Sequence, residues 1–205
     1  MRFEIYAKLV LNFEILNYQF LLSRWGPHGD NLGPIFMADL RKEFGNIYDR
    51  YVDKIYRFVF LKVNSEEVAQ DITSETFLKG WERYSTDKQN PENKIKNPRA
   101  FLYRIAKNLI VDHYRQKNRV QIVPADDARI VDPKIDLEGQ AARMSDLVRV
   151  KQALSELNDD YQNVIIWRYI EGLSVSETAQ LLGRTNEATR VLTSRALKAL
   201  RTKLG

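Results

Sequence analysis

The stretch Asn97–Arg119, NPRAFLYRIAKNLIVDHYRQKNR, separates aliphatic from basic residues at the period of an α-helix. At about 100° per residue, one narrow sector holds the aliphatic side chains and the opposite sector holds polar and basic ones. The first group is Leu102, Ile105, Ala106 and Leu109, and the second is Arg104, Asn108, Arg115 and Arg119. Asn97 stands at the N-cap position, with Pro98 at the first helical position. The pattern predicts an amphipathic helix that rests on a core and exposes a basic face.

The composition is that of a folded chain whose positive charge is concentrated in two segments. The 205 residues are 44% hydrophobic and carry 32 Lys+Arg against 27 Asp+Glu, a formal net charge of +5. Residues 96–119 contain seven cations and one acid, and residues 174–205 contain six cations and two acids. These two local excesses together exceed the net charge, so the remainder of the chain is net acidic. Two separate basic segments are typical of a protein that contacts a polyanion twice.

Helical periodicity and turn residues predict an all-α chain with two small helical domains. We expect helices over Ala38–Val63, Glu66–Tyr84 and Pro98–Arg119, and a later helix capped by Asn158. The expected bounds are an N-terminal extension of unknown role over 1–36, a first domain over 37–119, a linker over 120–139 and a second domain over 140–205. The linker has two prolines and five acids against two cations, which favours an extended connection. Met37 can serve as a start codon, so the sequence leaves open whether the extension is made.

Several classes of protein are disfavoured. The absence of cysteine excludes disulfides, thiolate zinc sites and a cysteine nucleophile. The apolar first 22 residues are interrupted by charges and amides, and no small-residue cleavage site follows, so we expect no stable membrane insertion. There are two histidines, no phosphate-binding glycine-rich loop and no carboxylate cluster with metal-ligand spacing. We therefore expect a cytoplasmic protein that is not an enzyme and has no catalytic residue, metal or cofactor.

The second basic segment, Leu173–Arg201, has the spacing of a helix-turn-helix. Its helix starts and its turn are marked by a capping box at Ser174 and Glu177, a permissive glycine at Gly183, and a second cap at Thr185 or Asn186. The second helix places outward the side chains that can reach base edges and phosphates in a major groove, namely Glu187, Arg190, Ser194 and Arg195. An ordinary helical hairpin with a solvated outer face is the alternative, and the spacing together with the charge favours DNA.

Three motifs resemble those of the extracytoplasmic-function (ECF) sigma factors, the short promoter-specificity subunits of bacterial RNA polymerase. Ile47–Phe60 (IYDRYVDKIYRFVF) with Ala69–Tyr84 (AQDITSETFLKGWERY) resembles the helices that form the core of domain two and contact the polymerase clamp. Asn97–Arg119 resembles the reader of the promoter's minus-ten element. Ala153–Gly183 with Glu187–Arg201 resembles domain four, which reads the minus thirty-five element. The resemblance covers nearly the whole chain beyond the N-terminal extension.

The resemblance implies roles for the residues that match each motif. The clamp-facing motif is matched at Asp71, Glu75 and Phe77, with Ser74 where the family usually has Gln. The face that meets the melted minus-ten region comprises Arg104, Lys107, Asn108, Asp112, Arg115 and Arg119. The loop over residues 85–96 would form a pocket for a flipped base, with Lys88, Gln89, Asn90 and Asn93 as readers. The minus thirty-five duplex would meet Thr185, Asn186, Glu187, Arg190, Ser194 and Arg195.

Local departures and neighbours refine this expectation. Asn158 replaces a customary Pro, a change that its capping ability can absorb. Thr178 and Thr189 occupy positions that are usually aliphatic, so we expect a helix-turn-helix core of reduced stability. Asp112 is spaced to orient both Asn108 and Arg115. The aromatic residues near the basic face are Tyr114, Tyr103 and Phe101; we consider them as stacking surfaces for bases, with Phe101 assigned to the core.

The partners implied by the resemblance are core RNA polymerase, at its clamp and flap regions, and promoter DNA. Whether an anti-sigma factor also binds the chain stays open, as do the promoter sequence and the inducing signal. The chain has no nucleotide-triphosphate motif, so binding energy must stabilise the melted strand. The alternative is a helix-turn-helix regulator that binds duplex DNA unaided, with the N-terminal half as a sensor or dimerisation domain. Nothing in the sequence indicates a ligand cavity or a dimer surface.

Overall fold

The structure is a computed structural model that describes residues 34–63, 65–88, 95–120 and 148–205. The chain divides into two compact units, Met1–Ile110 and Val111–Gly205. The helices of the N-terminal half are α1 (Pro34–Lys62), α2 (Glu66–Lys88) and α3 (Pro98–Val120). Those of the C-terminal half are α4 (148–155), α5 (Asp159–Ile165, continued by a π-helical turn over Ile166–Ile170), α6 (Val175–Leu182) and α7 (Asn186–Leu204). No strand occurs within these described ranges, and the all-α prediction is confirmed.

Two helices are longer than the sequence predicted. Helix α1 begins at Pro34 rather than Ala38, because proline is favoured in the first turn, where its missing N–H is not needed. Helix α2 continues past Tyr84 to Lys88, since no glycine or proline stops it there. Within this added turn, the Thr86 hydroxyl donates to the Glu82 carbonyl at 2.8 Å. The predicted linker, apart from Val120 at the end of α3, and nearly all of the N-terminal extension lie outside the described residues.

The core of the first unit is built from aromatic rings that meet edge to face. Phe44 of α1 lies 5.5 Å from the Trp81 ring and 6.5 Å from the Phe77 ring of α2. Helix α3 joins this core through Tyr103, whose ring centroid lies 5.4 Å from that of Phe58. Such pairs contribute ~0.5–1.5 kcal/mol each beyond the burial of their area. The basic helix is therefore fixed by its inner side to α1.

Helices α2 and α3 approach each other closely at Gly80. A Cβ atom at this position would lie 3.0 Å from Leu102 Cδ2 and 3.4 Å from Phe44 Cζ. A glycine is therefore needed for contact rather than for backbone conformation. The start of α3 is held by Asn97, whose Oδ1 accepts a hydrogen bond from the Ala100 N–H at 3.1 Å. The predicted N-cap is confirmed, and it sets where the basic face begins.

The second unit has its helix boundaries where the capping residues predicted them. Asn158 Oδ1 accepts from the Tyr161 N–H at 2.9 Å and begins α5. At Ser174 both bonds of the capping box are present, with Glu177 as the partner residue. Gly183 ends α6 in the left-handed conformation at φ 65°, which a residue with a side chain adopts at a cost. These local signals place α6 and α7 in the helix-turn-helix arrangement.

A π-helical turn connects α5 to α6. The Glu171 N–H donates to the Ile166 carbonyl at 2.9 Å, five residues back along the chain. Ile166 and Trp167 are buried by this turn, whereas Tyr169 and Ile170 are exposed. Among the residues that the structure describes, no helix has the length and apolar composition needed to cross a membrane.

Candidate nucleic-acid interface

Helix α3 has one side in the core and one side in solvent. Its buried side chains are Ala100, Leu102, Tyr103, Ala106, Leu109 and Ile110. Its exposed polar side chains include Arg104, Asn108, Asp112 and Arg115, with Lys107 half-buried beside them. We call this exposed set the α3 basic face. Because the opposite side is locked into the core, the basic face has a fixed direction.

The α3 basic face keeps its cations accessible. Arg115 Nη1 lies 3.8 Å from Asp112 Oδ1, and both side chains are more than half exposed. An exposed pair of this kind stabilises a helix by ~0.2–1 kcal/mol, so a phosphate can displace it. The expected contact of Asp112 with Asn108 does not occur among the described hydrogen bonds. The side chains of Lys88 and Arg119, and all of Gln89, Asn90 and Asn93, lie outside the described residues.

The aromatic residues near the basic face are arranged differently from expectation. Tyr103 is fully buried against Phe58, so it is not available to stack on a base. Phe101, which the sequence predicts to be in the core, is only half-buried. Tyr114 is exposed, and partial burial of its hydroxyl raises its pKa above the ordinary value. Tyr114 and Phe101 are therefore the aromatic side chains that the α3 surface can offer.

Helix α2 carries acids at a spacing of four residues. Glu67, Asp71 and Glu75 are all exposed, and at this spacing they form one line, here called the acidic ridge. Glu75 Oε1 forms an ion pair with Lys79 Nζ at a distance of 3.0 Å. The ridge is a negatively charged surface on the side of α2 that does not face the core.

Two of the residues assigned to the clamp contact do not belong to this surface. Phe77 is fully buried, with its ring 4.9 Å from that of Tyr48, so its side chain packs in the core and presents nothing to a partner. Ser74 is also buried, and its Oγ has no hydrogen-bond partner. The prediction that Phe77 contacts the clamp is wrong, because the aromatic cluster of the core occupies that side of α2.

Helix α7 places its polar residues away from the body of the second unit. Asn186, Glu187, Arg190, Ser194 and Arg195 are all exposed, and we call this set the α7 recognition face. Arg190 Nη1 lies 3.4 Å from Glu187 Oε1, again between exposed side chains. Thr185 is exposed too, but its Oγ1 accepts from the Ala188 N–H at 3.2 Å and so acts as the N-cap. Of the two alternatives for this cap, the structure selects Thr185.

The buried threonines of the helix-turn-helix have satisfied hydroxyl groups. Thr178 donates to the Ser174 carbonyl at 2.9 Å, and Thr189 donates to the Thr185 carbonyl at 2.9 Å. Thr193 repeats the pattern at 2.7 Å to Thr189. A buried hydroxyl with a partner avoids most of its desolvation cost. The reduced stability expected from these positions stays a prediction.

Two family models match the chain, and together they include the three surfaces described above. Sigma-70 region 2 matches residues 47–120, which include the acidic ridge and the α3 basic face. Sigma-70, region 4, matches residues 147–200, which include the α7 recognition face. Together they cover more than half of the chain. The chain belongs to the sigma-70 family. Curated relatives such as BldN and SigW are ECF sigma factors, so the predicted membership of the ECF type is confirmed.

The relatives of this sigma factor are similar over most of its length. The ECF RNA polymerase sigma factor BldN of Streptomyces coelicolor is 30% identical over 158 residues, which are 77% of this chain and 58% of BldN. The chain thus spans less than two thirds of that relative. The ECF RNA polymerase sigma factor SigW of Bacillus subtilis is 28% identical over 170 residues, 78% of this chain and 88% of SigW.

Two solved structures share the fold. CnrH, solved in complex with the cytosolic domain of CnrY, is 25% identical, with a TM-score of 0.59 over 83% of this chain and 95% of CnrH. RpoE from Bartonella quintana, solved with the anti-sigma factor NepR, has a TM-score of 0.61 at 22% identity and covers 80% of this chain and 97% of RpoE. The second likeness concerns the fold alone.

Two exposed residues of the sigma factor's α7 were not identified from the sequence. Val191 and Lys198 lie on the same side as the recognition face, and both are exposed. The helical period could have indicated the exposure of Val191, since Val191 follows Glu187 by four residues and so lies on the same side of the helix. Val191 was missed because an apolar residue in an amphipathic helix is usually assigned to the buried side.

Proposed function

We propose that this sigma factor binds core RNA polymerase and directs promoter recognition, DNA melting and transcription initiation through three surfaces. The acidic ridge of α2 contacts the polymerase, the α3 basic face holds the melted minus-ten region, and the α7 recognition face enters the minus thirty-five duplex. The observation that carries the proposal is the two-sided character of α3. Its aliphatic and aromatic side is fixed in a core, which turns a row of cations outward at a defined angle.

The acidic ridge supports the polymerase contact by its charge. Asp71 and Glu75 are exposed and one helical turn apart, so a basic surface can meet both carboxylates at once. Electrostatic complementarity of this kind speeds association and fixes register more than it adds affinity. Because Phe77 and Ser74 are buried, the side chains left to contact the polymerase are the carboxylates of the ridge. The interaction should therefore weaken as salt rises.

The α3 basic face supports binding of a single strand. Arg104, Lys107 and Arg115 supply cations for successive phosphates, and guanidinium groups can engage two phosphate oxygens together. Tyr114 supplies an exposed ring, and stacking of a base on an aromatic side chain contributes ~1–3 kcal/mol. Extruding a base costs a few kcal/mol, so a small number of such contacts can offset it. The melted state is then stabilised by binding alone.

The α7 recognition face supports reading of a duplex. The N-terminal part of a recognition helix contacts base edges, and Glu187 and Arg190 lie there. Arginine recognises guanine edges or phosphate, and glutamate accepts from cytosine. The helix-turn-helix supplies the rigid support that positions these groups.

The remaining parts of the proposal follow from these three contacts. The chain performs no chemical step, so we assign it no catalytic residue and do not propose it to be an enzyme. A protein that works on promoter DNA with RNA polymerase acts in the cytoplasm, which is the location we propose. CnrH was solved with a bound protein partner, and we propose that an anti-sigma factor also binds this chain.

Transcription from a randomised promoter library tests the function. Core RNA polymerase is supplied with or without the full chain, and the start sites are read by sequencing. We expect new start sites, each preceded by two shared sequence elements, only when the chain is present. A gel shift with promoter duplex and no polymerase distinguishes the sigma factor from the alternative, a helix-turn-helix regulator. Such a regulator would shift the duplex on its own. Core enzyme that neither binds the chain nor changes its start sites would refute the proposal.

Charge reversal tests the acidic ridge. Asp71→Lys with Glu75→Lys should lower the affinity for core polymerase at least tenfold, since each replaced carboxylate becomes a like charge beside a basic surface. Asp39→Lys with Asp49→Lys, which reverses two exposed acids on α1 outside the ridge, is the control matched in charge and should leave the affinity unchanged. Equal losses in both proteins would show that net charge, and not the ridge, is responsible.

A further inference from the structure

An apolar side chain lies open in the middle of the α7 recognition face. Val191 is 51% exposed, although the unit has a core that could receive it. At about 100° per residue, Val191 lies within roughly 40° of both Glu187 and Arg195 around the helix axis. A single exposed valine on a surface needs no explanation. Val191, however, lies between the side chains proposed to reach base edges, so its exposure at this position requires an explanation.

The side of α7 that packs against the rest of the second unit lies opposite Val191. Thr189, Thr193 and Ala196 are the buried residues of α7. Thr189 and Thr193 are each about 160° from Val191 around the helix axis. Val191 therefore lies on the side of α7 that faces away from these buried residues. Its exposed half is open to a molecule that approaches the recognition face.

The major groove of unmodified DNA presents one kind of methyl group. Thymine presents it at C5, whereas adenine, guanine and cytosine present hydrogen-bond donors and acceptors and no methyl group. An exposed valine offers methyl groups and no polar atom, so it matches thymine alone. In a helix the branched side chain of valine has one strongly preferred rotamer, so little freedom is lost when it binds. Exposed cations on the same face, such as Arg195 and Lys198, would bring a polyanion against it.

We propose that Val191 is a specificity-determining residue that reads the C5-methyl group of a thymine in the minus thirty-five element. The inference rests on the proposed function, since it requires α7 to enter the major groove of promoter DNA. It goes further by naming one base and the atom group of that base that is recognised.

Replacing thymine by deoxyuridine tests the contact, because this change removes the methyl group and leaves the base pairing intact. Holoenzyme assembled from core polymerase and the full chain is bound to the promoter selected from the randomised library, and each thymine of the minus thirty-five element is replaced in turn. We expect one position at which the affinity falls roughly fourfold, the ratio that corresponds to ~0.8 kcal/mol for one buried methyl-sized group. The other thymines should show no comparable loss.

Variants connect that loss to Val191. Val191→Ala should bind the thymine promoter about as weakly as the wild type binds the deoxyuridine promoter, and it should not distinguish the two. Val148→Ala is the matched control, since Val148 is an exposed valine of the same unit, 59% exposed, outside the recognition face. It should discriminate as the wild type does. Because both valines are exposed, circular dichroism should show unchanged folding for both variants.

The outcomes separate this inference from the proposed function. If Val191→Ala discriminates against deoxyuridine as strongly as the wild type, Val191 does not read the methyl group, while initiation at selected promoters still supports the function. A selected minus thirty-five element without any thymine in either strand also overturns the inference. If the holoenzyme selects no promoter element at all, the proposed function itself has failed.

Discussion

The hydroxyl of Tyr84 donates a hydrogen bond to Glu43 Oε2 at 2.7 Å, and this bond joins the end of α2 to α1. The two residues are 41 positions apart, so the contact exists only in the folded chain. It closes the aromatic cluster on one side, where the Tyr84 ring lies 5.5 Å from that of Phe44. The first unit is thus held by a polar bond beside its apolar core.

Removing that bond should destabilise the first unit. Tyr84→Phe keeps the ring and removes the hydroxyl, and a hydrogen bond to a charged acceptor contributes ~1.5–3 kcal/mol when well shielded. Since the Glu43 side is exposed, we expect a loss of about 1 kcal/mol in urea unfolding. Tyr161→Phe is the control, because no described hydrogen bond involves its hydroxyl. Indistinguishable midpoints for the two variants would contradict the expectation.

Two glycines with open space around them should respond in opposite directions. No atom lies within 4 Å of a Cβ built at Gly45 or at Gly183, so only the backbone decides. Gly183 has φ +65°, and its replacement by alanine should cost roughly 1–2 kcal/mol. Gly45 lies within helix α1, where alanine should stabilise the fold by ~0.5–1 kcal/mol. Thermal unfolding measures both, and a loss at both sites would show that hidden contacts decide instead.

The stability of the first unit should fall between pH 10 and pH 12 through Tyr56. Burial, together with the nearby Glu66 carboxylate 3.5 Å away, raises the pKa of Tyr56 from 10.0 to about 12. Between these values the unfolded chain loses the phenol proton while the folded chain keeps it. Deprotonation then favours the unfolded state, and stability decreases as pH rises. Below pH 10 the contribution is complete.

The difference between two proteins isolates this effect from other groups that titrate in the same range. Urea unfolding of the wild type and of Tyr56→Phe is compared from pH 9 to pH 12, where the second protein lacks the phenol. We expect the gap in unfolding free energy to change with pH in the direction that disfavours the wild type at high pH. A constant gap would show that Tyr56 ionises equally in both states.

The cations of the α3 basic face should contribute to the salt dependence of promoter binding by the holoenzyme. Arg104→Ala or Lys107→Ala should lower the affinity of holoenzyme for a promoter with a pre-melted minus-ten region. Each lost phosphate contact should also reduce the slope of log affinity against log salt by about 0.7, the value for single strands. Lys79→Ala is the control, since Lys79 is on α2 and pairs with Glu75. A slope that is unchanged in all three proteins would remove α3 from the site.

Where a feature is determined by neighbours in the chain, it could be predicted from the sequence. Asn97, Asn158 and Ser174 begin helices as their side chains indicated, because a capping oxygen needs only the N–H groups of the next turn. Gly183 takes the left-handed conformation for a similarly local reason. These few positions were enough to predict the helix-turn-helix and the start of the basic helix.

Where a feature depends on distant residues, prediction from the sequence was less successful. Tyr103 and Phe101 are two positions apart on α3, and only the position of Phe58 on α1 decides that Tyr103 is the buried one. Phe77 matched a surface motif, yet it packs against Phe44 and Tyr48 of α1. The choice between core and surface for such residues requires the packing partner.

The residues that seat α7 and the residues that face outward from it do not overlap. The buried residues of this seat have small side chains, Thr189, Thr193 and Ala196, and the two threonine hydroxyls bond within the helix itself. Substitutions at Glu187 or Val191 therefore leave the seat intact. The exposed positions of α7 can therefore change without altering the buried contacts that hold this helix in its unit.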